Sequence, residues 1–228
     1  FFRWFDAAIA ISGVLERHVI KYGSRKVAVV RAPVMVDTDA FAPSAQPAAA
    51  APAIMYCGLL NQEKDGVVSL MRAFSGLAND MPDVRLILVG DIYEGSRIPE
   101  YRAVAESLGV EARVVFVGRV RRSEVPEHLA RASVLVLARP SSAQADAGMP
   151  TKAAEYLATG VPMVITRTGD IVEYLADGAN AYLVPPDDVP ALEMALRHVL
   201  LHPTEAQAVG RRGRDVALRY FDYRVVGA

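Results

Sequence analysis

Leu86-Ile87-Leu88-Val89 and Val134-Leu135-Val136-Leu137 are runs of four apolar residues with no polar residue between them. A strand with one wet face alternates apolar and polar residues. One buried under helices on both faces does not, because both of its faces are dry. Working outward from these two runs, Ala53 to Cys57 reads as another buried strand, closed by Gly58. Further strands are expected at Arg113 to Val117, Pro162 to Thr166 and Ala181 to Val184. Between them lie helical patterns: Val67 to Leu77, with Val67, Leu70, Met71, Phe74 and Leu77 at helical spacing, Tyr101 to Leu108, Ser123 to Arg131 and Thr151 to Ala158. Ser123 and Thr151 are placed as capping residues, and Gly160 as a helix stop. Helices at Val189 to Leu201 and Glu205 to Tyr220 complete the series. Strand–helix alternation repeated about six times predicts a doubly wound α/β domain on a parallel sheet.

Ahead of this lie a strand at Ala7 to Ile11, a helix at Leu15 to Tyr22 and a strand at Val27 to Arg31. Residues 41–52 carry spaced prolines and a run of alanines without periodicity, the composition of a linker. The expected organisation is therefore a tail of a preceding domain over 1–40, a linker over 41–52, and a Rossmann-like domain over 53–228.

The chain has 228 residues, of which 52% are apolar, so a large core is available. Lys and Arg number 25 against 26 Asp and Glu, a formal net charge of −1. That balance excludes the basic excess of a duplex nucleic-acid binder. The single cysteine, Cys57, forms no internal disulfide or cysteine metal cluster and fits a reducing compartment. His18, His128, His198 and His202 lack ligand partners at metal spacing, so no metal site is expected. No apolar run reaches the roughly 20 residues of a membrane span. The opening Phe1-Phe2-Arg3-Trp4-Phe5-Asp6 reads as the end of a packed helix or as an interfacial anchor.

In an open parallel sheet, ligands bind beyond the carboxyl ends of the strands. The loop after Cys57 offers Gly58, Asn61 and Lys64. The glycine lets backbone approach a ligand, and the lysine either meets phosphate charge or is simply solvated. Gly90 ends the next strand. Gly118-Arg119-Val120-Arg121-Arg122 follows the third, and its arginines either line a nucleotide pocket, through Val120 and Arg121, or form a solvated basic patch. Arg139 to Lys152 is a long, small-residue loop that runs through Gly148, Met149 and Pro150 into a helix starting at Thr151. Its amides and positive dipole end face the crevice, an arrangement suited to diphosphate. Glu155, in the first turn, either accepts from ribose hydroxyls or compensates the dipole.

The stretch Gly148-Met149-Pro150-Thr151-Lys152-Ala153-Ala154-Glu155-Tyr156-Leu157-Ala158-Thr159-Gly160-Val161-Pro162 resembles the nucleotide-sugar motif of family 4 (GT4) retaining glycosyltransferases of the two-Rossmann GT-B type, in their bacterial capsular and surface polysaccharide branch. Gly58 with Lys64-Asp65-Gly66, Leu88-Val89-Gly90-Asp91, Val115-Phe116-Val117-Gly118 and Gly169-Asp170-Ile171-Val172-Glu173-Tyr174 agree in order. The resemblance runs from about Phe5 to Tyr223 and implies that most of the acceptor domain lies outside this chain. It implies transfer of a sugar from a nucleoside diphosphate sugar, with retention and without a separate cofactor, to a carbohydrate or lipid-linked acceptor. It also implies a cytoplasmic protein, with peripheral association at the inner face of the plasma membrane left open.

By the resemblance, Glu155 holds the ribose hydroxyls, Lys64 meets the diphosphate, and Gly148 to Lys152 lie against diphosphate and donor sugar. Lys64 and Glu155 are thus the residues expected to carry the chemistry. Two positions depart from the family. Its first glutamate, eight before Glu155, is Ala147, and its strand-end arginine is Leu59. Asp146 is a candidate substitute for the first. A non-catalytic nucleotide-binding module and a nucleotide-sugar epimerase are the competing functions. A phosphorylase would need a pyridoxal phosphate lysine in a recognisable context.

Overall fold

The computed structural model describes residues 5–23, 26–43 and 51–227. The aromatic opening before Phe5, and residues 44–50 at the centre of the expected linker, lie outside them. Six strands form one parallel sheet: β3 (Ala53–Cys57), β4 (Arg85–Val89), β5 (Val114–Gly118), β6 (Val134–Leu137), β7 (Met163–Thr166) and β8 (Tyr182–Val184). Their spatial order is β5-β4-β3-β6-β7-β8. The chain moves outward from β3 to β5, returns to the centre at β6, and then moves outward the other way. Every residue of β3, β6, β7 and β8 is buried, which is why these runs show no alternation. At the edge strand β5 alternation returns, with Val115 and Val117 exposed.

The crossovers are helical. α2 (Gln62–Asp65) leads into α3 (Val67–Ala78), which packs on α4 (Ile98–Ser107) and α8 (Val189–Leu201). α7 (Thr151–Thr159) packs on α5 (Val125–Ala130) and α9 (Pro203–Tyr220). Phe74 and Tyr156, both fully buried, anchor α3 and α7 in the core. Two capping expectations are corrected. Ser123 lies inside a 3₁₀ turn, Arg122–Glu124, and α5 starts only at Val125. The N-cap of α7 is Pro150, with Thr151 as its first helical residue. The loop before α7 also contains α6 (Ala143–Ala147), capped by Ser142, whose Oγ accepts from Ala145 N at 3.0 Å.

The first described segment is a separate parallel pair, β1 (Ala7–Ala10) and β2 (Ala28–Arg31), joined by α1 (Gly13–Tyr22). It is tied to the main domain near the carboxyl ends of its strands. Ser12 Oγ donates to Ala147 O at 2.5 Å, Gly13 N donates to Asp170 Oδ2 at 2.5 Å, and Arg31 pairs with Asp170 at 2.7 Å.

At the opposite end of the chain, α10 (Tyr223–Val226) returns to the crossover segment. Val36 N donates to Phe221 O at 2.8 Å, and Tyr223 N donates to Val36 O at 3.1 Å. Asp222, 3% exposed, accepts from Thr38 and from Arg224. Those donors hold its carboxyl well below the usual carboxylate range, against the opposing effect of burial. A depressed folded-state value stabilises the fold above the unfolded pKa of about 3.9, and that contribution drains as pH falls below it. Asp222→Asn should therefore lower the melting temperature at pH 7 by several degrees and flatten its decline between pH 4 and 2. Differential scanning calorimetry across that range reads both effects, and parallel curves for the two proteins would count against them.

Candidate functional site

Reversal of strand order between β3 and β6 opens a crevice at their carboxyl ends. Two loops line it, one after each strand. The β3 loop turns sharply into α3 through Gly66, at φ +67°, where an added Cβ would stand 1.9 Å from Ala138 O. That contact seats the Lys64-Asp65 turn directly on the end of β6. Asn61 caps the turn, its side-chain oxygen accepting from Lys64 N at 2.8 Å. Asn61 therefore positions Lys64.

Gly58, Gly90 and Gly118 close three adjacent strand ends. Gly90 sits at φ +116°, with an added Cβ 2.0 Å from Gly58 O. Its N–H donates to Gly118 O at 2.8 Å. Backbone thus replaces side chains on this floor. Gly90 shapes the Gly58 turn and is kept from the cavity by it.

A cavity of about 390 Å³ fills the crevice. Of the expected residues, Lys64, Gly148, Met149, Pro150, Thr151 and Lys152 line it. Ile11 and Leu15 close one wall, so the N-terminal segment takes part in the site. No side chain caps α7; Ala153 N donates to Pro150 O at 3.0 Å, and the amides of Thr151 and Lys152 keep their donor capacity toward the crevice. The two lysines play different parts. Lys152 Nζ is held by the buried Asp65 at 2.6 Å and stands over the Tyr56 ring, 5.4 Å from its centroid. Lys64 is exposed, and among the described residues it forms no ion pair.

Glu155 lies in the second turn of α7, one turn deeper than the sequence suggested, with its side chain 18% exposed. Arg122 Nη2 meets its Oε1 at 2.8 Å. Arg122, rather than Arg121, is therefore the arginine brought to the site. Arg121 is 82% exposed at its side chain and pairs with Glu124 at 2.6 Å. Val120, in the same loop, is half-buried against the core. Asp146 is exposed on α6, while its neighbours Gln144 and Ala147 line the cavity.

Behind the site, Tyr156 on α7 donates its hydroxyl to Cys57 O at 2.9 Å and accepts from Cys57 N at 2.7 Å. This couples the α7 register, and so Glu155, to the end of β3. Burial pushes the Cys57 thiol up to about 12, with the Glu155 charge adding to the effect. It stays a neutral thiol and is no nucleophile. His198 and His202 stack at 4.4 Å, and among the described residues no three metal-ligating side chains converge. Arg139 and Gln144 are lining residues that sequence reasoning passed over. The apolar strand running straight into Arg139 was the available signal.

The family model described as Glycosyl transferases group 1 matches residues 51–202, more than half of the chain. The chain belongs to the group 1 glycosyl transferases. It is 33% identical over 207 residues to the GDP-mannose-dependent alpha-(1-6)-phosphatidylinositol monomannoside mannosyltransferase of Mycolicibacterium smegmatis, an alignment covering 86% of this chain and 53% of that protein. It is 32% identical over 164 residues to the MMP alpha-(1->4)-mannosyltransferase of Mycolicibacterium hassiacum, covering 72% and 38%. The chain thus spans about half the length, or less, of these relatives. Among solved structures, the Anabaena HepE protein in complex with UDP-glucose superposes with a TM-score of 0.85 at 19% identity, covering 99% of this chain and 62% of that one. The fold of this group 1 transferase chain is the α/β fold of its GT-B neighbours.

Proposed function

We propose that this chain is the donor-binding half of a GT4-type retaining glycosyltransferase that moves a sugar from a nucleoside diphosphate sugar to a carbohydrate or lipid-linked acceptor. One observation carries the reading. A free lysine and an uncapped helix start meet at the switch point of a parallel sheet, around a cavity of about 390 Å³, and Glu155 lies one turn further along the same helix, outside the cavity lining. The diphosphate takes the Lys64 and α7 end, and Glu155 takes the ribose hydroxyls. As the glycosidic bond breaks, negative charge grows on the leaving diphosphate, and Lys64 with the α7 amides stabilises it.

The acceptor and the groups that position it belong to the first domain. β1, α1 and β2 are the edge of that domain, and Ile9 and Val30, 76% and 59% exposed, form part of the face on which its remainder packs. Among the described residues no helix is long and apolar enough to cross a membrane. A lipid-linked acceptor would bring the protein to the inner face of the plasma membrane.

Calorimetric titration with UDP, GDP, ADP, CMP and dTDP tests the reading. One nucleoside diphosphate is expected to bind selectively, and about tenfold or more tighter than its own monophosphate. Lys64→Ala should erase most of that difference while leaving monophosphate binding nearly unchanged. Well-folded protein that binds none of them would overturn the reading.

A further inference from the structure

Arg139 opens the segment leaving β6 and is 4% exposed. Its main chain is pinned, because Thr166 Oγ1 donates to Arg139 O at 2.8 Å. Its side chain is not. Nη1 is buried without a hydrogen-bond partner, and among the described residues the guanidinium forms no ion pair. Asp65 and Asp146 reach it only through space, and Asp65 has committed one oxygen to Lys152 at 2.6 Å. A buried guanidinium without a partner is costly, and on the wall of a cavity such a donor is available to a ligand that completes the bond.

The surroundings say which kind. Four charged residues line the cavity: Lys64, Lys152 and Arg139 against the single carboxylate of Asp65. Lys152 and Asp65 cancel in charge at 2.6 Å, with Asp65 Oδ2 left buried and without a hydrogen-bond partner, so the excess positive charge rests on Lys64 and Arg139. These two come from opposite sides of the switch point, one from the loop after β3 and one from the loop after β6. Gly148 lies beside the guanidinium, where an added Cβ would stand in ordinary contact at 3.9 Å from Arg139 Nη2.

We propose that Arg139 is a diphosphate-binding residue of this cavity, the second cation of a seat whose first is Lys64. The planar fork of a guanidinium suits two phosphate oxygens, which the Lys64 ammonium engages only as a point charge. The proposal rests on the donor-site reading and deepens it.

The test separates the two. Inorganic pyrophosphate is titrated by calorimetry into the whole chain and into its Arg139→Gln and Arg139→Lys variants, with melting curves taken with and without ligand. Arg139→Gln is expected to weaken pyrophosphate binding about tenfold or more, with Arg139→Lys intermediate. Without ligand, Arg139→Gln should melt at or above the parent temperature, because it removes an unpaired buried charge. Unchanged pyrophosphate affinity in Arg139→Gln, or no pyrophosphate binding by the parent, would overturn the assignment. So would ligand-free Arg139→Gln melting several degrees lower, which would make Arg139 a structural partner of Asp65. If pyrophosphate binding depends on Arg139 but no nucleoside diphosphate binds tighter than pyrophosphate, the anion seat stands and the nucleotide reading falls.

Discussion

Glu155→Ala should cut nucleoside diphosphate affinity by roughly thirtyfold or more while moving the melting temperature by no more than about two degrees. The size follows from what the carboxylate offers. Each hydrogen bond to a charged group contributes about 1.5–3 kcal/mol, and a carboxylate facing vicinal hydroxyls makes two. The small effect on stability follows from its present partner. Arg122 holds Glu155 at 2.8 Å, but Arg122 is 67% exposed at its side chain, so solvent screens the pair. Pairs of that kind contribute about 0–1 kcal/mol, and an entering ribose displaces Arg122 at little cost. The sharper measurement uses the 2′-deoxy nucleotide alongside the ribonucleotide. If Glu155 reads the hydroxyls, the substitution weakens the ribonucleotide far more than its deoxy counterpart. Equal weakening of both, or of pyrophosphate as well, would place Glu155 outside the ribose contact.

Such a prediction depends on how far the sequence discloses the site. Strands were legible where both faces are dry, because Val134-Leu135-Val136-Leu137 has no polar residue to accommodate. Helix bodies were legible from spacing, as in α3 and α8. Helix starts were less so. Ser123 and Thr151 are good capping types, yet a 3₁₀ turn at Arg122–Glu124 and Pro150 set the true starts. A cap depends on the backbone angles of the residue before the helix, which composition does not report. With Thr151 as the first helical residue, Glu155 is the fifth and falls in the second turn of α7.

The site shows the same division. Lys64 and the Gly148 to Lys152 run reach the cavity because their loops follow strand ends. Arg121 and Arg122 are adjacent residues of one type, and only the turn geometry gives Arg122 to Glu155 and Arg121 to Glu124. Arg139 was hidden for another reason. An arginine after a strand reads as a solvated end, and its burial appears only when α6 and the β3 loop close over it. Lys152 looked like a ligand group, but the buried Asp65 claims it.

The contact that brings the two halves of the crevice together is the most fragile in the site. Gly66→Ala should destabilise the chain by about 3–4 kcal/mol, which for a chain of this size lowers the melting temperature by roughly 10 °C. Two effects combine. A side chain at φ +67° costs about 1–2 kcal/mol by itself. The added Cβ would also stand 1.9 Å from Ala138 O, a backbone atom at the end of β6 that cannot rotate aside. Gly95→Ala isolates the first effect, because Gly95 lies at φ +75° with nothing within 4 Å of its added Cβ. It should lower the melting temperature by only a few degrees. The excess at Gly66 then measures the contact between the β3 loop and β6. Relief of that clash separates Lys64 from Arg139 across the crevice, so Gly66→Ala should also weaken pyrophosphate binding at temperatures where it remains folded. Equal melting temperatures for the two alanine variants would mean that the loop shifts freely, and that the spacing of the two cations is not set by this contact.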